Sequence, residues 1–336
     1  MAFAISLTKP SVSVAIAAFN ASATIEASVR SVTSQSLRNL EVIIVDDRST
    51  DDTIERVMRL AAVDQRIRVE SLACNSGPAA ARNRALSVAR GRWFAVLDSD
   101  DIFASTRLET LTMRAEAVGA DMICDNLLVF DDVPPHHPHA FLTGAAQGFW
   151  IDARHYLRRT RIFGRGSVAY GYLKPVMRLD GLRSAGIRYN ESLRIGEDDE
   201  FVVRALAAGL RYWFEPKLTY GYRKHAASIS HRLRPADAAA MRAANDALLA
   251  DPDFRALTPL VRARGAALLR AELFARSMDH LKNGRFAEGL SLMAAHPSTL
   301  PLLRMPVAGA ARRILGPRRG RRDAAAEEAF AAMTGA

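Results

Sequence analysis

The chain is poor in cysteine: its 336 residues contain two, Cys74 and Cys124. Two thiols give no disulfide framework, which excludes the small stapled folds and suits a reducing compartment. No uninterrupted apolar stretch reaches the roughly 20 residues that a membrane-spanning helix needs. Any membrane contact is therefore expected to be peripheral. Residues 1–10 lack a basic flank followed by a long apolar run, so no signal peptide is expected. Internal repeats and a phosphate-binding P-loop are missing as well. Acidic excess is also absent: the net charge is +10, and an anionic partner is expected, whether nucleic acid, lipid or phosphorylated substrate. What remains, 49% hydrophobic and 24% charged, describes a globular protein long enough for one large domain or two modest ones.

Apolar segments without helical period alternate with helical ones. Residues 12–19, 40–45, 67–72 and 92–97 read as buried strands. The helix after the first is capped by Ser22 and buries Ile25, Val29 and Val32. The next is capped by Thr50, with Ile54, Val57, Met58 and Ala61 on its buried stripe. The third opens at Pro78 and is stopped by Gly91. This alternation predicts βαβ units and a mostly parallel sheet with helices on both faces. In such sheets ligands bind beyond the carboxyl ends of the strands. Those ends carry Asn20, then Asp46 and Asp47, then Asn75, Ser76 and Gly77, then Asp98 to Asp101.

The last group places three carboxylates within four residues. They repel one another unless a cation or hydrogen-bond donors compensate. Mg²⁺ or Mn²⁺ would serve; an acidic turn with a helix cap accounts for the same residues. An Asp after the second strand can accept from a ribose or a base imide. Residues 75–77 allow close backbone approach, and Arg82 offers a planar fork suited to phosphate. Together these point to a metal-bridged nucleoside diphosphate.

Met122 to Phe130 reads as a strand, and residues 211–215 as another stopped by Pro216. The proline-rich run holding His136, His137 and His139 reads as an exposed loop rather than a metal site. A second acidic island, Glu197 to Glu200 after Gly196, heads a helix. The helix dipole accounts for part of it; a carboxylate facing the metal site would be a general base. Residues 220–225 combine aromatics with bases, either to neutralise a leaving phosphate or as an ordinary basic loop. The glycine-rich, aromatic stretch at 164–175 is a candidate acceptor path. From Pro235 the chain turns helical, and 301–322 form an Arg-rich tail that suits an anionic membrane surface or bulk solvent. We therefore divide the chain at residue 232, with 1–232 the α/β unit and 233–336 a helical region.

In this order and spacing the motifs resemble the inverting glycosyltransferases of family 2, over residues 12–230. The resemblance implies a GT-A (Rossmann-like) α/β fold, with the C-terminal helices outside the matched motifs. It implies a nucleoside diphosphate sugar donor, expected to be UDP-linked, and a divalent metal, Mn²⁺ or Mg²⁺. The implied acceptor is a hydroxyl of a glycan or lipid-linked oligosaccharide, as in bacterial succinoglycan-type exopolysaccharide enzymes working at the inner face of the membrane. Ala18, where the family usually has proline, Phe19, Asn20, Asp46, Asp47, Asn75, Gly77, Arg82, Asp98 and Asp100 are implied at the nucleotide. The resemblance further implies that Asp98-x-Asp100 is the DxD element, with Asp100 nearest the metal. Asp198 is implied as the base that deprotonates the acceptor, and Glu197, Arg223 and His225 lie near the diphosphate or acceptor. A cytoplasmic location is expected, and no nucleic-acid partner. Two other readings stand beside it. One is a phosphotransferase or phosphatase with Asp98 as nucleophile, though no Thr or Val follows the second Asp. The other is a non-catalytic basic module that binds nucleic acid or membrane through the tail.

Overall fold

The computed structural model describes residues 9–160, 169–225, 233–304 and 323–335. Strands β1 (Val12–Ala18), β2 (Leu40–Asp46), β3 (Ile67–Ser71) and β4 (Trp93–Asp98) form a parallel half-sheet. Every residue of β2 is buried, whichever face it points to. Its Val42, Ile43, Ile44 and Val45 suit a strand walled on both sides, each buried side chain contributing about 1.5–3 kcal/mol. Register aligns the tips: Ala18 lies beside Asp46, and Ala17 beside Asp98.

The other half consists of β5 (Ile102–Phe103), β6 (Met122–Asp131), β7 (His139–Ala140), β8 (Phe149–Ile151), β9 (Val176–Arg178) and β10 (Tyr212–Lys224). The strand order is β3-β2-β1-β4-β9-β6-β10-β5, with β7 on β6 and β8 on β10. Here β9 runs antiparallel to both β4 and β6, so the sheet is mixed. Three residues are too few to show a period, which is why the sequence did not reveal this strand. Pro216 does not stop β10 as expected. The strand shifts register between Glu215 and Leu218, and again before Tyr220, so the residue lacking an N–H is taken out of the ladder.

Helices α1 (Ile25–Thr33), α2 (Thr53–Val63), α3 (Pro78–Val88) and α4 (Arg107–Val118) follow the first strands. Ile25, Val29 and Val32 are fully buried, as their spacing predicts, whereas Met58 is 54% exposed. The caps differ from expectation: α1 and α2 begin after Thr24 and Asp52, with no side-chain cap bond. Ser22 and Thr50 instead tie two loops together. The Ser22 amide donates to Asp51 Oδ2 at 3.1 Å, and the Thr50 amide to Asn20 Oδ1 at 2.8 Å. Polar tip residues thus satisfy neighbouring strand ends rather than helix ends.

Short helices α5 (Ala153–Arg159) and α6 (Leu179–Ser184) precede α7 (Glu197–Ala207). The C-terminal part comprises α8 (Pro235–Leu248), α9 (Thr258–Lys282), α10 (Phe286–Ala295) and α11 (Ala324–Thr334). Leu193, Met241, Ala244 and Leu268 form a small apolar cluster that seats α8 and α9 against the approach to α7. Phe330 of α11 packs on Phe130, ring centroids 5.1 Å apart. No helix among the described residues is long and apolar enough to cross a membrane. Most of the basic tail, together with residues 161–168 and 226–232, lies outside the described residues.

Candidate active site

The strand tips open onto a cleft of about 1210 Å³. One end is walled by Ala18, Phe19, Asn20 and Asp47; Asp98 and Asp100 follow, and Glu197 and Asp198 stand at the start of α7. Arg223 and His225 reach it from the end of β10. The acidic tips at 98 and 198, a hundred residues apart in sequence, therefore share one crevice.

At the first end Phe19 is 44% exposed, an aromatic face open to the cleft. Asp46 and Asp47 are buried, and their carboxylates hold backbone. Asp46 accepts from the Ser49 amide, and Asp47 from the amides of Ser76 and Gly77 at 2.7 and 2.8 Å. Gly77 has φ +89°, a conformation that side-chain-bearing residues resist, and it leads directly into Pro78 of α3. Asp46, Asn75 and Gly77, expected at the nucleotide, are not among the residues lining the cleft: the Asp46 carboxylate and the Gly77 amide are bonded within the turn, and the exposed Asn75 donates its amide to the Asp47 carbonyl.

At the centre, two buried cations meet three carboxylates. Arg82 donates to Glu197 Oε1 at 2.5 Å and to Asp98 Oδ1 at 2.7 Å, and lies 3.2 Å from Asp198 Oδ1. Lys174 Nζ lies 2.8 Å from Asp98 Oδ2 and 2.5 Å from Asp198 Oδ2. Arg82, expected to fork a phosphate, is 4% exposed and committed to these acids. Asn83 helps to fix it, exchanging hydrogen bonds of 2.9 and 2.8 Å with the Tyr189 backbone. Burial alone would push the Asp98 carboxyl up, but Lys174 and Arg82 outweigh it and hold the group well below the usual range. Burial likewise opposes the Lys174 charge, and Asp198 and Asp98 more than restore it. Glu197 is the weak member: its desolvation outweighs Arg82 and raises its pKa.

Sequence reasoning missed Lys174. A signal was present: only five of the 46 basic residues are lysine, and this one sits between Leu173 and Pro175. A strongly hydrated point charge placed in apolar company needs a carboxylate nearby.

The metal question turns on the donor set. Both Asp98 oxygens are engaged by protein cations, whereas Asp100, expected nearest the metal, stays partly open to the cleft. Asp100 Oδ2 lies 2.7 Å from His225 Nε2, and both side chains are partly open to the cleft. The Asp100 carboxylate suits a hard ion such as Mn²⁺ or Mg²⁺, and His225 shares a hydrogen bond with it. Among the described residues no group of three His, Cys, Asp or Glu could hold a metal unaided, so phosphate and water would complete the shell. Asp101 is not part of this set. It is 1% exposed and accepts from the Tyr220 hydroxyl and the Arg223 amide, both at 2.8 Å. Arg223 Nε donates to the Asp100 carbonyl at 2.8 Å, bracing the turn that presents Asp100.

Comparison with known proteins bears on this arrangement. Residues 13–178 match the family model "Glycosyl transferase family 2". Succinoglycan biosynthesis protein ExoO of Rhizobium meliloti (strain 1021) is 34% identical over 317 residues, covering 91% of this chain and 87% of that protein. Among solved structures, S. aureus TarS 1-349 in complex with UDP-GlcNAc superposes with a TM-score of 0.58 at 20% identity, over 79% of this chain and 72% of that one. The mannosyltransferase PcManGT from Pyrobaculum calidifontis, in complex with GDP-Man and Mn²⁺, gives 0.54 at 19% identity, over 97% and 86%. Such distant likeness establishes a shared GT-A-like fold. The ExoO match, running through nine-tenths of the chain, goes further: this protein is a glycosyltransferase and belongs to glycosyl transferase family 2.

Proposed function

We propose that the protein transfers a sugar, with inversion, from a nucleoside diphosphate sugar to an acceptor hydroxyl, and that it does so in exopolysaccharide or cell-surface polysaccharide assembly. The relationship to ExoO supports the biosynthetic setting. The observation that carries the chemistry is Lys174, whose ammonium joins Asp98 and Asp198 across the cleft.

In this reading the base of the donor, UDP-linked, lies against Phe19, and the diphosphate runs toward Asp100 and His225. A divalent cation held there would neutralise the charge that develops on the departing diphosphate. Asp198 takes the proton of the acceptor hydroxyl while its oxygen bonds to the anomeric carbon and the carbon–oxygen bond to the diphosphate breaks. Attack on the face opposite the leaving group inverts the centre. Lys174 and Arg82 hold Asp198 through one contact on each of its oxygens. A carboxylate has about four lone-pair sites, so room remains for the hydroxyl. The aromatic end of the cleft, with Phe141, Tyr172 and Tyr222, is assigned to the acceptor, a glycan or lipid-linked oligosaccharide. Residues 1–232 would form the transferase unit. The helical region and its basic tail would bring it to the inner membrane face.

The test is a panel of UDP-glucose, UDP-galactose, UDP-GlcNAc and GDP-mannose, read by protection against thermal unfolding and by hydrolysis, with Mn²⁺, Mg²⁺ or chelator. At least one donor should protect the wild type more strongly with metal, and Asp100→Ala should lose that metal-dependent part. An Asp100→Ala variant whose nucleotide affinity still rises with Mn²⁺ as much as the wild type's would reject the metal assignment. Failure of all four donors to bind would reject the donor class.

A further inference from the structure

The acidic island of α7 divides its contacts. Glu197 and Asp198 meet Arg82 and Lys174 at the cleft, whereas Asp199 is paired with Arg264, which projects from α9. Dipole stabilisation of a helix N-terminus does not call for a buried cation from another helix. This contact is closed on every side. Asp199 and Arg264 are 5% and 7% exposed. Arg264 Nη1 donates to Asn245 Oδ1 of α8 at 3.2 Å, and the wholly buried Asn245 donates in turn to the Val261 carbonyl at 3.1 Å.

Glycines allow the helices to approach this closely. A Cβ on Gly265 would come 2.9 Å from Asn245 Nδ2, and one on Gly171 would come 3.0 Å from Asp199 Cβ. A Cβ on Gly196, just before α7, would meet Met241 of α8 at 2.7 Å. Among the described residues Asp199 Oδ1 and Arg264 Nε have no hydrogen-bond partner, and Glu200 is a second carboxylate that feels the Arg264 charge.

We infer that Arg264 is a positioning residue for the transfer reaction. It fixes Asp199, and with it the first turn of α7, so that Asp198 keeps its place against Lys174. The inference rests on Asp198 being the base. It makes α8 and α9 part of the catalytic apparatus: they set the angle at which α7 presents its acids. Successive helical residues are only 1.5 Å apart along the axis, so a small slip of this turn displaces the base. A misplacement of about 1 Å can lower turnover on the order of 10²-fold.

The experiment uses the full chain and whichever of the four nucleotide sugars the wild type hydrolyses fastest with Mn²⁺. It compares wild type, Arg264→Lys, Arg264→Met, the double variant Arg264→Met/Asp199→Asn, and Asp198→Asn. Arg264→Met should lower kcat by roughly ten- to a hundredfold with KM within about twofold, and Arg264→Lys should recover part of the loss. The double variant removes both members of the ion pair, so its Tm should return toward wild type while kcat stays low. Recovery of kcat together with Tm would show Arg264 to be merely structural and overturn the inference, as would a rise in KM that accounts for the loss. Should Arg264→Met not fold, the kcat-against-KM split in Arg264→Lys and the double variant decides the matter. Near-normal turnover in Asp198→Asn would remove the base assignment itself, a failure distinct from any result at Arg264.

Discussion

At Arg107 and Asp125, one guanidinium meets one carboxylate at 2.7 Å, both side chains wholly buried. Thr219 donates its hydroxyl to Asp125, and the rings of Phe103 and Tyr220 lie 4.3 and 5.1 Å from the guanidinium carbon. At Arg82 and Lys174, two cations face three carboxylates on the wall of a cleft. The first centre is balanced and closed. The second carries surplus negative charge and opens to solvent. A balanced pair has no use for a ligand, whereas an unbalanced one leaves room for a cation and a proton to arrive. The two meet in one residue: the Lys174 carbonyl accepts from Arg107 at 2.7 Å, and its ammonium serves the cleft. The structural centre thus holds the backbone of a residue whose side chain belongs to the other.

This contrast can be broken in several ways. Asp198→Asn should lower turnover by roughly 10²–10⁴-fold while nucleotide binding survives, measured by initial rates and by titration. Near-normal rates would reduce the open centre to a second structural knot. Arg107→Met should act on folding instead, costing about 3–5 kcal/mol in denaturant titration because Asp125 is left buried and unpaired. A double change of Arg107→Met and Asp125→Leu should recover much of that stability; no recovery would mean the pair holds more than its own charges.

Lys174→Met sharpens the boundary between the centres. It should reduce kcat by up to about 10²-fold through a displaced Asp198, with a smaller fall in Tm than Arg107→Met. The reverse ranking would place Lys174 with the structural centre. The smallest effect concerns Asp51, a carboxylate held by hydrogen bonds. Burial pushes its pKa up, but Thr53 and Ser22 outweigh that and lower it to about 2. A depressed folded pKa contributes stability that is present above the unfolded value, about 3.9, and is lost as pH falls toward 2. Asp51→Asn should therefore flatten the unfolding midpoint between pH 4 and 2; a slope parallel to wild type would refute the assignment.

Much of the site was legible because it lies where local pattern changes. A buried strand ends where the hydrophobic run ends, so residues 20, 46–47 and 98–101 marked their own positions, and parallel pairing brought them to one edge. Arg82 was expected to fork a phosphate, and its guanidinium is instead paired with Asp98, Glu197 and Asp198. Its sequence neighbours do not reveal that Glu197 and Asp198, more than a hundred positions later, would reach it before any phosphate could. The Pro216 bulge and the three-residue β9 escaped for the same reason: their pairing is fixed by strands distant in sequence.

The order of strands and helices, the row of polar tips and the family resemblance were determined by the sequence itself, since hydrophobic period and turn chemistry act over a few neighbouring residues. Which charge faces which was decided only by the tertiary structure. Lys174 between Asp98 and Asp198, and Arg264 under Asp199, are contacts across 76, 24 and 65 positions. Coulomb attraction at such short range depends on where the packed helices and strands set the backbone, and no local pattern carries that distance.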